Sequence, residues 1–152
     1  MIKILFICHG NICRSPMGEF IFKDMARRNG QMSLFDVSSA ATSREEIGND
    51  IYPPAKRVLK AHGIEFDRRG ARQVTADEMA SADYVIIMDE NNRRNLRRMF
   101  ADRFDDRIHL LMDYTDRPGE VSDPWYTGDY ETAYADIYEG CVGLYNEIVR
   151  GK

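Results

Sequence analysis

Near the start of the chain, Cys8-His9-Gly10-Asn11-Ile12-Cys13-Arg14-Ser15 gathers a thiol, an arginine and a hydroxyl into one short segment. A loop of that size running into a helix can turn successive backbone N–H groups toward a single anion. The same convergent dipoles favour the thiolate of Cys8, which makes it a nucleophile at neutral pH. Arg14 offers a planar fork that fits two phosphoryl oxygens and stabilises their charge during transfer. The hydroxyl of Ser15 can donate to the sulfur, both when it attacks and when it leaves. Gly10 permits the positive φ such a loop needs, and Asn11 is among the few other residues that tolerate it. A cysteine at the end of a core strand is also a common packing residue. The context favours chemistry: a buried strand before the segment, the glycine within it, and Pro16 opening a helix after it.

A cysteinyl-phosphate route also needs a proton donor for the leaving oxygen. Asp123, in the polar stretch Asp123-Pro124-Trp125-Tyr126, is the candidate, and a phosphate dianion beside it would favour the protonated carboxyl. Trp125 and Tyr126 can wall a cleft that accepts an aromatic ring. Asp-Pro also begins ordinary turns, so these residues alone leave both readings open.

These groups must be positioned by the elements around them. Ile2–Cys8 is a nearly continuous apolar run, the pattern of a strand buried on both faces. Pro16 is expected as the first residue of a helix that stops at Asn29-Gly30. Leu34–Ala41, Tyr84–Met88 and Ile108–Met112 read as three further strands. Helices are expected from Pro53-Pro54 to His62-Gly63, after the Thr75–Glu78 capping box, and after Asp89. A long amphipathic helix follows from Tyr130 through Ile148, with Cys141 on its inward face. This alternation predicts a single-domain α/β fold: a doubly wound, four-stranded parallel sheet with helices on both faces. In such folds ligands bind beyond the carboxyl ends of the strands, where the strand order reverses, and Cys8–Ser15 sits at such an end.

The stretch CHGNICRSP at Cys8–Pro16 resembles the phosphate-binding loop of the low-molecular-weight protein tyrosine phosphatases. Ser39-Ala-Ala-Thr42, Ala71-Arg-Gln73, Met88-Asp-Glu-Asn91 and Asp123-Pro-Trp-Tyr126 follow in that family's order, so the likeness extends over 1–152. It implies that Cys8, Arg14 and Asp123 are catalytic, with Asp123 as general acid. It also implies that His9–Ser15 bind phosphate, and that Asn11, Ser15 and Ser39 shape the loop. Ile12, Trp125 and Tyr126 would border the substrate. Cys13 matches a second cysteine able to capture an oxidised Cys8 as a reversible disulfide, or contributes chiefly its backbone N–H. The substrate implied is a phosphotyrosine-containing protein, and the enzyme a monomer or weak dimer using no cofactor or metal. His9, His62 and His109 have no metal-ligand spacing.

The chain departs from the family pattern at three places. Arg69 stands where many relatives have a histidine, Glu45 lies where some have a cleft aromatic, and the spacing from Asn49 to Pro53 looks two residues longer. Three rivals bear on function. Protein arginine phosphatases share the loop but typically carry threonine at the position of Ile12. Thioredoxin-linked arsenate reductases need two relay cysteines in mid-chain, and none lies between Cys13 and Cys141. A non-catalytic phosphoprotein-binding domain would be expected to lack Cys8 or Asp123.

Composition sets the outer bounds. With 152 residues, 30% of them charged, and a net charge of -4, the chain is a folded domain rather than a disordered one, and a nucleic-acid partner is disfavoured. The cluster Arg93, Arg94, Arg97 and Arg98 is interleaved with acids and reads as a solvated helix face. Nine acids and one base, Arg117, lie between Asp113 and Glu147, and they act either on substrate choice or only on solubility. Three cysteines suit a reducing, cytoplasmic setting rather than a disulfide scaffold. No segment is long and apolar enough for membrane insertion.

Overall fold

In the computed structural model, which describes residues 1–151, four strands form one parallel sheet. They are β1 (Ile2–Cys8), β2 (Phe35–Ala41), β3 (Tyr84–Ile87) and β4 (Ile108–Leu110), in the order β2-β1-β3-β4. The chain leaves β1 for β2 on one side and returns to β3 on the other. The carboxyl ends of β1 and β3 therefore flank the crevice created by the change of direction.

Alternation along β1 explains both layers. Ile4, Phe6 and Cys8 enter one core with α1 (Arg14–Arg28), α2 (Pro53–Ala61) and α6 (Tyr130–Arg150). Leu5 and Ile7 enter the other with α3 (Ala76–Ser81) and α4 (Glu90–Phe100). Phe6 and Ile7 are fully buried on opposite faces, and each contributes about 1.5–3 kcal/mol of apolar burial. This is the doubly wound sheet with helices on both faces that the alternation predicts. The caps follow the sequence as well: Thr75 and Glu78 form a capping box on α3, and Asp89 caps α4.

Two boundaries differ from expectation by two residues, and β2 and β3 each differ by one. Helix α1 begins at Arg14 rather than Pro16, with Cys13 as its cap. Pro16 still lies in the first turn, where its missing N–H costs nothing. The early start lets the first-turn amide of Ser15 turn toward Cys8. Strand β4 ends at Leu110, and Leu111–Tyr114 is a 3₁₀ turn instead of two more strand residues. That turn packs onto α6 at two glycines: a Cβ at Gly140 would meet Leu111 Cγ at 2.4 Å, and one at Gly143 would meet Tyr114 O at 1.9 Å. The short α5 (Pro124–Thr127) sits between this turn and α6.

Candidate active site

The segment after β1 wraps around the Cys8 sulfur. Asn11 N and Ser15 N donate to Sγ at 3.3 and 3.4 Å, and Ser15 Oγ lies 3.0 Å from it. The bend that allows this falls on Asn11, at φ 59°, and not on Gly10, whose φ is not positive. Asn11 tolerates the left-handed region because its side chain compensates with local bonds. A Cβ at Gly10 would make only ordinary contact with Glu46 Cγ, at 3.4 Å.

The side chain of Asn11 organises the loop from beneath. It is fully buried. Its Nδ2 donates to Ser15 Oγ at 2.8 Å and to Ser39 Oγ at 3.0 Å. Its Oδ1 accepts from Arg69 Nη2 at 2.5 Å and from Arg72 N at 3.3 Å. Ser39 in turn donates to Glu19 Oε1 at 2.6 Å. Asn11, Ser15 and Ser39, expected to support the loop, thus form one connected network. His9 is half exposed and pairs with Glu45 across the edge of the loop.

Arg14 is buried and held on three sides. Nη1 donates to Val121 O at 3.1 Å, while Nη2 lies 2.9 Å from Asp89 Oδ2 and 3.3 Å from Asp123 Oδ2. Burial alone would lower the guanidinium pKa, but Cys8, Asp89 and Asp123 together raise it above its ordinary value. Asp123 caps α5 by accepting from Trp125 N at 3.1 Å through Oδ1, leaving Oδ2 toward Arg14. Turn start and acid candidate are therefore the same residue, with Oδ1 on the cap and Oδ2 toward Arg14.

An aromatic wall stands over the loop. The rings of Tyr52 and Trp125 are 5.3 Å apart, and those of Tyr52 and Tyr130 are 6.2 Å apart. Tyr52 N donates to Ile12 O at 2.9 Å, tying the start of α2 to the loop. Trp125 is 55% exposed and Tyr126 is 85% exposed. Tyr52, Trp125 and Tyr130 stand together, and among the described residues Tyr126 has no aromatic partner. Ile12 is buried and clusters with Cys13, Ala71 and Tyr130.

Cys13 lies beneath the loop as a free thiol, pushed up to about 12 by burial and by the nearby Cys8, against a hydrogen bond from Tyr130. Cys141 is fully buried in the core, and burial pushes its thiol up. His62 pairs with Glu131 and stacks on Tyr134, while His109 sits between Tyr84 and Tyr114. The arginine cluster is engaged on α4, where Arg93 pairs with Glu90 and Arg97 with Asp105.

The fold brings Cys8, the loop, Arg14, Ser39 and Asp123 into one place, as the sequence pattern anticipates. It adds Asp89, Tyr52, Tyr130, Val121 O and Arg69. Asp89 was legible as a helix cap and within Met88-Asp-Glu-Asn91, but not as a partner of Arg14. Tyr52 lies just before α2, in a segment that no motif marks.

Residues 3–152 match the family described as low molecular weight phosphotyrosine protein phosphatase. The low molecular weight protein-tyrosine-phosphatase YfkJ of Bacillus subtilis is 38% identical over 100% of this chain and 99% of its own length. Its crystal structure superposes with a TM-score of 0.95, covering 100% of this chain and 97% of that one. The low molecular weight phosphotyrosine protein phosphatase of Homo sapiens is 36% identical over 92% of this chain and 89% of its own. A Drosophila arginine phosphatase has the same fold, with a TM-score of 0.87 at 28% identity, covering 97% and 98% of the two chains. With the thiol cradle, the buried arginine and these relatives in agreement, the chain belongs to the low molecular weight phosphotyrosine protein phosphatase family and is a hydrolase of that family.

Proposed function

We propose that the protein hydrolyses phosphotyrosine, and aryl phosphates generally, through a cysteinyl-phosphate intermediate. One observation carries the reading: the Cys8 sulfur accepts two loop amides and lies 3.0 Å from Ser15 Oγ. Two backbone N–H groups and a hydroxyl so placed suit an attacking sulfur, and the same amides suit the oxygens of a bound phosphoryl group. In the first step Cys8 attacks phosphorus in line; the S–P bond forms as the P–O bond to the phenol breaks. Asp123 gives its proton to the departing oxygen. Arg14 and the loop amides at positions 9–15 stabilise the charge on the equatorial oxygens. In the second step water attacks phosphorus, Asp123 takes back a proton, and Cys8 leaves as thiolate.

The aromatic rings of Tyr52, Trp125 and Tyr130 suit a phenyl-bearing substrate. The apolar, buried Ile12 supports the same choice. Three unpaired thiols support a reducing, cytoplasmic setting. No helix among the described residues is long and apolar enough to cross a membrane.

The deciding experiment measures turnover of a phosphotyrosine peptide, a phosphoarginine peptide and an aryl phosphate, each with and without Cys8→Ser. Aryl phosphate and phosphotyrosine are expected to turn over and Cys8→Ser to abolish it. Turnover that survives Cys8→Ser removes the nucleophile, and a strong phosphoarginine preference overturns the substrate.

A further inference from the structure

We propose that the groove between α2 and the start of α6, next to the aromatic wall, is a subsite for an acidic side chain of the substrate, held by Arg57. The proposal rests on the phosphotyrosine reading above and names which polypeptides the site takes best.

The groove and the cleft share a border. Tyr130 clusters with Ile12 and Cys13 at the loop, and it also lines the groove. Its ring is 6.2 Å from that of Tyr52, and Pro54, two residues after Tyr52, lines the groove as well. An extended chain advances about 3.3 Å per residue. A residue two or three positions from a phosphotyrosine seated on Cys8 therefore passes the two rings and reaches the groove. The groove holds about 460 Å³, ample for one long side chain, and Pro54, Val58 and Ala61 offer apolar surface for its methylenes.

Three charged side chains line this groove, and they are not equivalent. Asp129 spends both carboxylate oxygens on Thr132, accepting from its N at 2.9 Å and its Oγ1 at 2.6 Å. Glu131 is engaged by His62 Nε2, which lies 3.2 and 3.0 Å from its two oxygens. Arg57 is exposed and has neither an ion pair nor a side-chain hydrogen bond among the described residues, whereas its neighbour Lys56 pairs with Asp50 at 2.6 Å. The uncommitted charge of the groove is thus a guanidinium, whose planar fork fits a carboxylate with two parallel hydrogen bonds. A glutamate side chain satisfies both halves of the groove, with its methylenes on the apolar floor and its carboxylate on Arg57. A lysine there would meet a free cation and two carboxylates that already have partners.

The test compares kcat/KM for phosphotyrosine peptides with Glu, Gln or Lys placed singly at each of the three positions on either side, at low ionic strength. The readout is the Glu-to-Gln ratio within each protein, in which overall activity cancels. In the wild type one position is expected to favour Glu over Gln by about three- to fivefold, the scale of an exposed ion pair, and to disfavour Lys. Arg57→Ala is expected to bring that ratio to about one, and Arg57→Glu to turn the preference toward Lys. Ala61→Glu leaves Arg57 in place but sets a carboxylate four residues after it on α2, where it occupies the guanidinium. That variant is expected to erase the preference as Arg57→Ala does. A flat scan in the wild type overturns the subsite, and so does a Glu preference that persists in Arg57→Ala. A wild-type preference for Lys assigns the groove to Asp129 and Glu131 and overturns it too. These outcomes leave phosphotyrosine turnover standing. Absence of turnover for every phosphotyrosine peptide removes the reading on which the subsite rests, and both then fall.

Discussion

Replacing Asp123 by asparagine isolates the proton from the scaffold. Asp123 uses Oδ1 to accept from Trp125 N at 3.1 Å, and an asparagine oxygen can do the same, so the cap on α5 survives. Arg14 loses an ionic partner at 3.3 Å but keeps Asp89 at 2.9 Å and Val121 O at 3.1 Å. Two of its three anchors therefore remain, and KM is expected to change by about threefold or less, leaving the loss in kcat. A positioned general acid contributes about 10²–10⁴-fold, or about 3–5 kcal/mol of barrier. That full loss applies to a phenyl or tyrosyl leaving group, which needs a proton to depart. An aryl group acidic enough to leave as its anion is expected to lose about tenfold or less. The assay is steady-state kinetics of Asp123→Asn against a series of aryl phosphates graded by leaving-group acidity. The slope of log kcat against leaving-group pKa should steepen in the variant. Parallel lines for variant and wild type, or a loss carried by KM, would refute Asp123 as the acid.

Two further outcomes follow from the site's surroundings. Burial and Cys8 hold the Cys13 thiol near 12, whereas in the unfolded chain it would ionise from about 9. Between these values the unfolded state has released a proton that the folded state keeps, so stability falls as pH rises from about 9 to 12; Cys13→Ser should flatten the fall of Tm in that window, and an unchanged Tm profile would contradict this. Tyr52→Ala removes the ring 5.3 Å from Trp125 and should raise KM for aryl phosphates by about three- to tenfold with kcat nearly kept. An equal loss in kcat would instead mean that Tyr52 acts on the loop through Ile12.

Much of the fold was legible because its signals are local. The apolar run Ile2–Cys8, the Thr75–Glu78 box and the Asp89 cap are decided by near neighbours in sequence, and each appears in the structure where expected. The misplaced boundaries arose where distant groups intervene. Helix α1 starts early because the Ser15 amide is drawn to Cys8, and β4 stops early because Gly140 and Gly143 let the next turn close onto α6. Of the two loop residues able to take a positive φ, Asn11 takes it, and it has long-range partners to stabilise it.

The site divides in the same way. Cys8, Arg14 and Ser15 lie within one turn of chain, so residue types and spacing alone determined the thiol, the anion fork and the hydroxyl. Their chemistry needs only loop-scale geometry. Which carboxylates would hold Arg14, which rings would wall the cleft, and which cation would orient Asn11 could come only from tertiary structure. Asp89, Asp123, Tyr52 and Arg69 reach the loop from separate segments, each led there by the packing of its own element. A motif records groups that must be near one another in sequence; charge balance and hydrogen-bond direction depend on groups that are near one another only in space.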